Sequence, residues 1–244
     1  GSPEYYARYQ AAAYDRIKRE HPDKTVVGIC PSNILLTYID RVLRAGAADK
    51  MDVLSFHPYG LTSADEREIG TELRKLREIA AARFRGPLPA FWATEIGYRN
   101  SDRPMNQPQR FPGIRLFSEA QAARFMVKMN LMLLEGGTER MYWFHLPGVG
   151  GLPNPFYFGF AYENPEPAVP KKMVAAYAQM IRALAGVPLS GRSDTGDDHV
   201  YLYRFASAPE DASPSRWAVF RDERAEGTHR LFFRADDPPR QERI

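Results

Sequence analysis

Apolar positions at helical spacing alternate along most of this chain with short apolar or β-branched runs. Residues 3–20 carry Tyr6, Tyr9, Ala13 and Ile17 on one face, with Ser2 placed to cap and Pro3 in the first turn. A helix is predicted there, ended by His21-Pro22-Asp23. Thr25–Ile29 reads as a buried strand, and residues 34–45 as a helix stopped by Gly46. Asp52–Phe56 is the next strand, and Ser63-Ala64-Asp65-Glu66 is a capping box opening a helix to Phe84. After a Gly-Pro break at residues 86–89, an apolar run from Ala90 to Ala93 leads into Thr94-Glu95-Ile96-Gly97. A polar loop follows over residues 99–117. Ser118-Glu119 starts a helix to Glu135, and Gly136-Gly137 stops it. Arg140–His145 is another strand. A second long loop covers 146–167, and a last helix runs from Val169 to Ala185 before Gly186.

One helix followed by four strand–helix pairs is the order of a parallel α/β architecture. Four pairs are half of an eight-unit (β/α)8 barrel, and both long loops follow strands, on the face where barrels keep their active sites. Past Gly186 the pattern changes. Segments His199–Phe205, Arg216–Phe220 and His229–Phe233 alternate or are aromatic-rich, and they predict a small antiparallel β module. Residues 236–244 read as a tail. The expected domains are 1–187, a barrel-type catalytic part, and 188–244, a small β-sandwich-like module with the tail.

Composition narrows the function classes. Of the 244 residues 44% are hydrophobic and 26% charged, an ordinary globular balance. The net charge is +3 with acids and bases interleaved, so no basic face for nucleic acid is expected. Cys30 is the sole cysteine, which leaves the redox compartment open. No apolar run reaches membrane-spanning length, and the first residues carry no signal-peptide pattern.

Glu95 is the candidate catalytic residue, since a carboxylate at the tip of a buried strand points into a barrel mouth. The alternative is an ion pair at a loop start. His57 and Tyr59, two residues apart in an extended segment, can face one way and hold a carboxylate ionised; the alternative is packing of the strand end. Trp143 and His145 alternate on the last strand, where an indole would make a platform for a sugar ring; a core aromatic is the alternative. Tyr98 completes the candidate binding set. The aromatics Phe156, Tyr157, Phe158, Phe160 and Tyr162 fit a substrate-lining loop or rim packing.

Other chemistries fit poorly. Gly148-Val149-Gly150-Gly151 lacks the Lys-Ser/Thr of a phosphate loop. His21, His57, His145, His199 and His229 show no metal-ligand spacing, so neither metal nor cofactor is expected. Cys30 has no partnered base in view and reads as a buried, inert thiol.

Taken in order, Ser55-Phe56-His57-Pro58-Tyr59, Ala93-Thr94-Glu95-Ile96-Gly97-Tyr98, a Ser-Glu-x-Gln-Ala helix at 118–122, Met141-Tyr142-Trp143-Phe144-His145-Leu146, and a Phe-Gly-Phe loop leading to Lys171-Lys172 form a recognisable set. The set resembles the second half of clan A glycoside hydrolases, the family 39 type above all, from Pro3 to Gly186. The resemblance implies an α/β fold of the (β/α)8 TIM-barrel type, with barrel strands 5–8 in this chain and a β-sandwich module after them. It implies a retaining β-glycosidase acting on β-linked glycosides or polysaccharides, with Glu95 as nucleophile and a carbohydrate substrate. It also implies an Asn-Glu acid/base pair at the end of the fourth strand, and this chain has no Asn-Glu dipeptide. Glu163 is a spare carboxylate, but nothing in the family pattern makes it the acid. The acid/base is therefore expected outside this chain. A half-barrel exposes sheet edges, so an N-terminal half-barrel partner or self-association is expected. The competing reading is a noncatalytic carbohydrate-binding or assembly half-barrel; a weaker one is a lyase with Glu95 as base. The family's habit of export points to a secreted or periplasmic location.

Overall fold

The structure, a computed structural model, describes residues 1–59, 66–102, 116–145, 158–162, 169–196, 200–206, 216–221, 229–234 and 237–243. Helix α1 (Pro3–Glu20) starts where Ser2 accepts from the Tyr5 backbone N–H, with Pro3 in the first turn and Glu4 near the positive end of the helix dipole. Strands β1 (Val27–Ile29), β2 (Val53–Phe56), β3 (Ala90–Ile96) and β4 (Thr138–Trp143) form one sheet in chain order, every neighbour parallel. Between them run α2 (Leu36–Val42), α3 (Glu66–Arg83) and α4 (Glu119–Glu135), and α5 (Lys172–Leu184) comes later. A π-helical turn, Leu43–Ala47, extends α2 and contains Gly46 at φ 107°. The expected helix stop at Gly46 is thus a left-handed glycine, a conformation that costs other residues strain.

The core lies between this sheet and its helices. Leu54, Phe56, Phe91, Ala93 and Ile96 face Leu73, Leu76 and Ala80 of α3 and Met126, Met129 and Leu133 of α4, all nearly water-free. Burying each large aliphatic side chain contributes about 1.5–3 kcal/mol. Helix α4 opens on a complete capping box, Ser118 with Gln121, and is buried on most of its surface. Close approaches set two glycines. A Cβ on Gly28 would meet Gln10 and Met51 at 3.0 Å, where α1 crosses β1. A Cβ on Gly97 would collide with the Phe144 carbonyl oxygen.

Strands β5 (Ala161–Tyr162) and β6 (Val169–Pro170) pair antiparallel just ahead of α5. The helix expected from Val169 therefore starts at Lys172, because Val169 and Pro170 are extended and paired. Beyond α5 lie β7 (Leu189–Ser193), β8 (Val200–Phe205) and β9 (Arg216–Arg221), an antiparallel sheet, and the antiparallel pair β10 (His229–Arg234) and β11 (Asp237–Arg243). Two expectations change here. β7 adds a strand that the sequence reading lacked, and most of the expected tail is β11, whose backbone pairs with β10 despite Pro238 and Pro239. Tyr203 of β8 donates to Glu135 at the end of α4 over 2.7 Å, which fastens the β module to the helix layer. The capping box at residues 63–66 lies mostly outside the described residues, as do most of the second long loop and Glu163. No helix among the described residues is long and apolar enough to cross a membrane.

Candidate active site

The site forms where β2 and β3 end. Parallel register pairs Phe56 with Ala93, so the residues that follow on each strand stand side by side. His57 lies beside Thr94, and His57 Nε2 and Thr94 Oγ1 share a hydrogen bond of 3.1 Å. Two residues on, the Tyr59 hydroxyl donates to Glu95 Oε1 over 2.6 Å, a short bond of the charge-assisted kind. His57 Nδ1 stands 3.8 Å from the other carboxylate oxygen, Oε2. The His57 backbone N–H donates to the Pro31 carbonyl at 3.0 Å, which ties this segment to the end of β1.

Electrostatics divide the roles. Burial lowers the His57 imidazole below its ordinary value, and the opposing pull of the Glu95 charge is smaller. His57 is therefore neutral at neutral pH, and its approach to Glu95 is not an ion pair. Burial, followed by the bond to Glu95, pushes the Tyr59 phenol well above its ordinary range, so it remains a donor. Glu95 keeps 36% of its side chain exposed and His57 16%, so the carboxylate is open to an incoming ligand.

Aromatic rings wall one side. Phe158 meets Tyr59 edge-on at 5.7 Å, and Phe144 meets Phe158 at 6.1 Å. His145 follows Phe144 with ring centroids 4.3 Å apart, and its carbonyl accepts from Phe160 N–H at 3.0 Å. Thr94 and Phe144 are additions to the sequence-derived set, and Phe158 is one of the loop aromatics that the sequence offered as substrate-lining or rim-packing. Their signal was strand parity and the Phe-Gly-Phe motif.

Other expected residues lie elsewhere. Tyr98 is buried, packed on Phe117, Phe125 and Trp143. Trp143 turns its indole N–H to Asn130 of α4 at 3.4 Å, so its ring belongs to the helix side of the sheet. The register of β3 against β4 shifts between Ala93 and Ile96, which brings Trp143 beside buried Ile96. On the opposite face Arg140 lies over Trp92 at 4.6 Å, with Tyr142 beside it. Cys30 is exposed rather than buried, because β1 ends at Ile29 and Cys30 adopts a left-handed φ of 47°. Its Sγ contacts Ser55 Oγ at 2.6 Å. Among the described residues no group of three or more His, Cys, Asp or Glu side chains could hold a metal ion.

Comparison with solved structures shows which fold the chain shares. A family 39 glycoside hydrolase from Bacteroides cellulosilyticus superposes on 95% of this chain with a TM-score of 0.71 at 19% identity, over 47% of its own length. The chain shares the fold of clan A glycoside hydrolases. A family 51 α-L-arabinofuranosidase from Bifidobacterium longum matches 99% of the chain (TM-score 0.63, 14% identity, 57% of that enzyme). A family 30 endoxylanase from Clostridium papyrosolvens matches 91% (TM-score 0.54, 14% identity, 46% of that enzyme). The chain thus spans about half the length of the solved enzymes it resembles. No family model matches the sequence, and no curated protein matches it either. The likeness to family 39 expected from the motifs is present in the fold.

Proposed function

We propose that this chain carries the nucleophile side of a retaining glycosidase site, with Glu95 as the nucleophile. The observation that supports it best is the 2.6 Å bond from Tyr59 to Glu95 at adjoining strand ends, in a fold shared with glycoside hydrolases. Tyr59 occupies Oε1 and stays protonated, which leaves Oε2 as the attacking oxygen. In the first step Oε2 bonds to the anomeric carbon as the glycosidic C–O bond breaks. The leaving oxygen takes a proton from a second carboxylic acid supplied from outside this chain. In the second step that carboxylate removes a proton from water, and the water oxygen displaces Glu95. Neutral His57, held by Thr94, fixes the strand tip without competing for the carboxylate. Phe144 and Phe158 supply apolar faces for the sugar.

In this reading β1–β4 are strands 5–8 of an eight-stranded barrel. β1 and β4 each present an edge that no described residue pairs, and closure by another half-barrel would satisfy both. The substrate class is β-linked glycosides or polysaccharides. A dinitrophenyl β-glycoside tests the reading, because its leaving group departs without acid help. Release of one dinitrophenolate per chain as a burst is expected, since hydrolysis of the glycosyl-enzyme lacks its base. Glu95→Gln abolishes the burst; an unchanged burst in that variant contradicts the assignment.

A further inference from the structure

A groove of about 760 Å³ lies away from the strand tips, between α3, the Gly136-Gly137 turn and strands β7 and β8. Three arginines line it: Arg74, Arg77 and Arg192. Arg74 pairs with Glu78 at 2.9 Å. The other two make no ion pair among the described residues. Arg77 is laid over the Phe91 ring, 5.1 Å from its centroid, and Arg192 over the buried Tyr201 ring at 4.0 Å.

Stacking uses the face of a guanidinium and leaves its in-plane N–H donors available. Two guanidiniums, each held over an aromatic ring, one of β3 and one of β8, line one recess. Gly137 helps to fix the first of them. At φ 79° it has no Cβ, and one placed there would sit 2.5 Å from Arg77 Nη1. The remaining carboxylate in the groove, Glu135, already accepts from Tyr203. Arginines outnumber carboxylates in the groove three to two, and a guanidinium fork matches an incoming carboxylate bidentately.

We infer that this groove binds an acidic saccharide, its uronate carboxylate held by Arg77 and Arg192. The anion follows from the arginines; the saccharide rests on the glycosidase reading and on a recess that adds the apolar Met132 to its polar lining. The groove is remote from the nucleophile. Phe91, beneath Arg77, precedes Glu95 by four residues, about 13 Å along the strand. The groove would therefore hold a polysaccharide rather than the bond being cut.

Calorimetric titration of the full 244-residue chain with trigalacturonate, xylotriose and inorganic phosphate tests the inference. Saturable binding of trigalacturonate, weakened at least tenfold by Arg192→Gln and by Arg77→Lys, is expected, with no binding of xylotriose. Arg77→Lys keeps a stem and charge over Phe91, and Arg192 is exposed, so both variants should fold. Glu95→Gln should bind trigalacturonate as the parent does, whatever becomes of the glycosidase reading. Equal binding of xylotriose, phosphate binding as tight as trigalacturonate, no saturable binding, or indifference to both arginine variants would overturn it.

Discussion

Tyr59, just past the end of β2, and Glu95, near the end of the neighbouring parallel strand β3, meet oxygen to oxygen at 2.6 Å, the phenol donating and the carboxylate accepting. Both side chains depend on the register of β2 against β3, which sets Phe56 opposite Ala93. The contact gives the carboxylate one fixed oxygen and one free one.

Tyr59→Phe removes only that donor. A hydrogen bond to a charged group contributes about 1.5–3 kcal/mol, so the rate of glycosyl-enzyme formation should fall roughly 10- to 150-fold. The melting temperature should change little, because the ring still packs on Phe158. A labelling rate equal to that of the parent would show that the bond does not position Glu95.

His57 gives a pH dependence with a definite sign. Burial lowers its folded value below the ordinary 6.5, so the folded protein binds fewer protons than the unfolded chain. Stability should therefore fall as pH drops below 6.5, and the loss continues down to the folded value. Urea unfolding at pH 7.5 and pH 5 measures it, and His57→Gln should flatten this part of the profile.

Gly97→Ala places a methyl group against the Phe144 carbonyl oxygen. Phe144 N–H donates to Ile96 O at 2.6 Å, so the two strand ends cannot move apart without losing that bond. Overpacking of this kind costs about 1–3 kcal/mol. Denaturant titration should show a lower midpoint with an unchanged slope.

Glu119 ties the loop after β3 to two helices. Its N–H donates to Asp102 at 2.9 Å, and its carboxylate accepts the Lys172 N–H at 3.0 Å. The side chain is buried, so Glu119→Ala leaves the Lys172 amide without this partner at a cost of about 1–3 kcal/mol. A thermal melt of the variant checks this. An unchanged melting temperature would mean that the network contributes nothing net.

The regular elements were legible because their signals are local. Ser2 with Pro3, Ser118 with Gln121, and Gly46 mark helix ends through capping or left-handed backbone, and each does so in the structure. Glu95, His57 and Tyr59 were legible as neighbours because strand ends and parallel pairing follow from the βα order. Trp143 was harder to read. Which face a strand residue takes depends on register, and β3 shifts against β4 between Ala93 and Ile96, which no local pattern announces. The strand at Asp237–Arg243 was hidden by its two prolines, which bar a central strand yet are tolerated at an edge. Cys30 lies one residue past a three-residue strand, where Ile29 and Cys30 both take a positive φ that no local pattern announces.

The most direct test of Glu95 as nucleophile is intact mass after incubation with 2,4-dinitrophenyl 2-deoxy-2-fluoro-β-glycosides, followed by peptide mapping. The account predicts a single fluoroglycosyl adduct on Glu95, absent in Glu95→Gln. An adduct on another residue, or an unchanged mass on folded protein with every sugar tried, would contradict it.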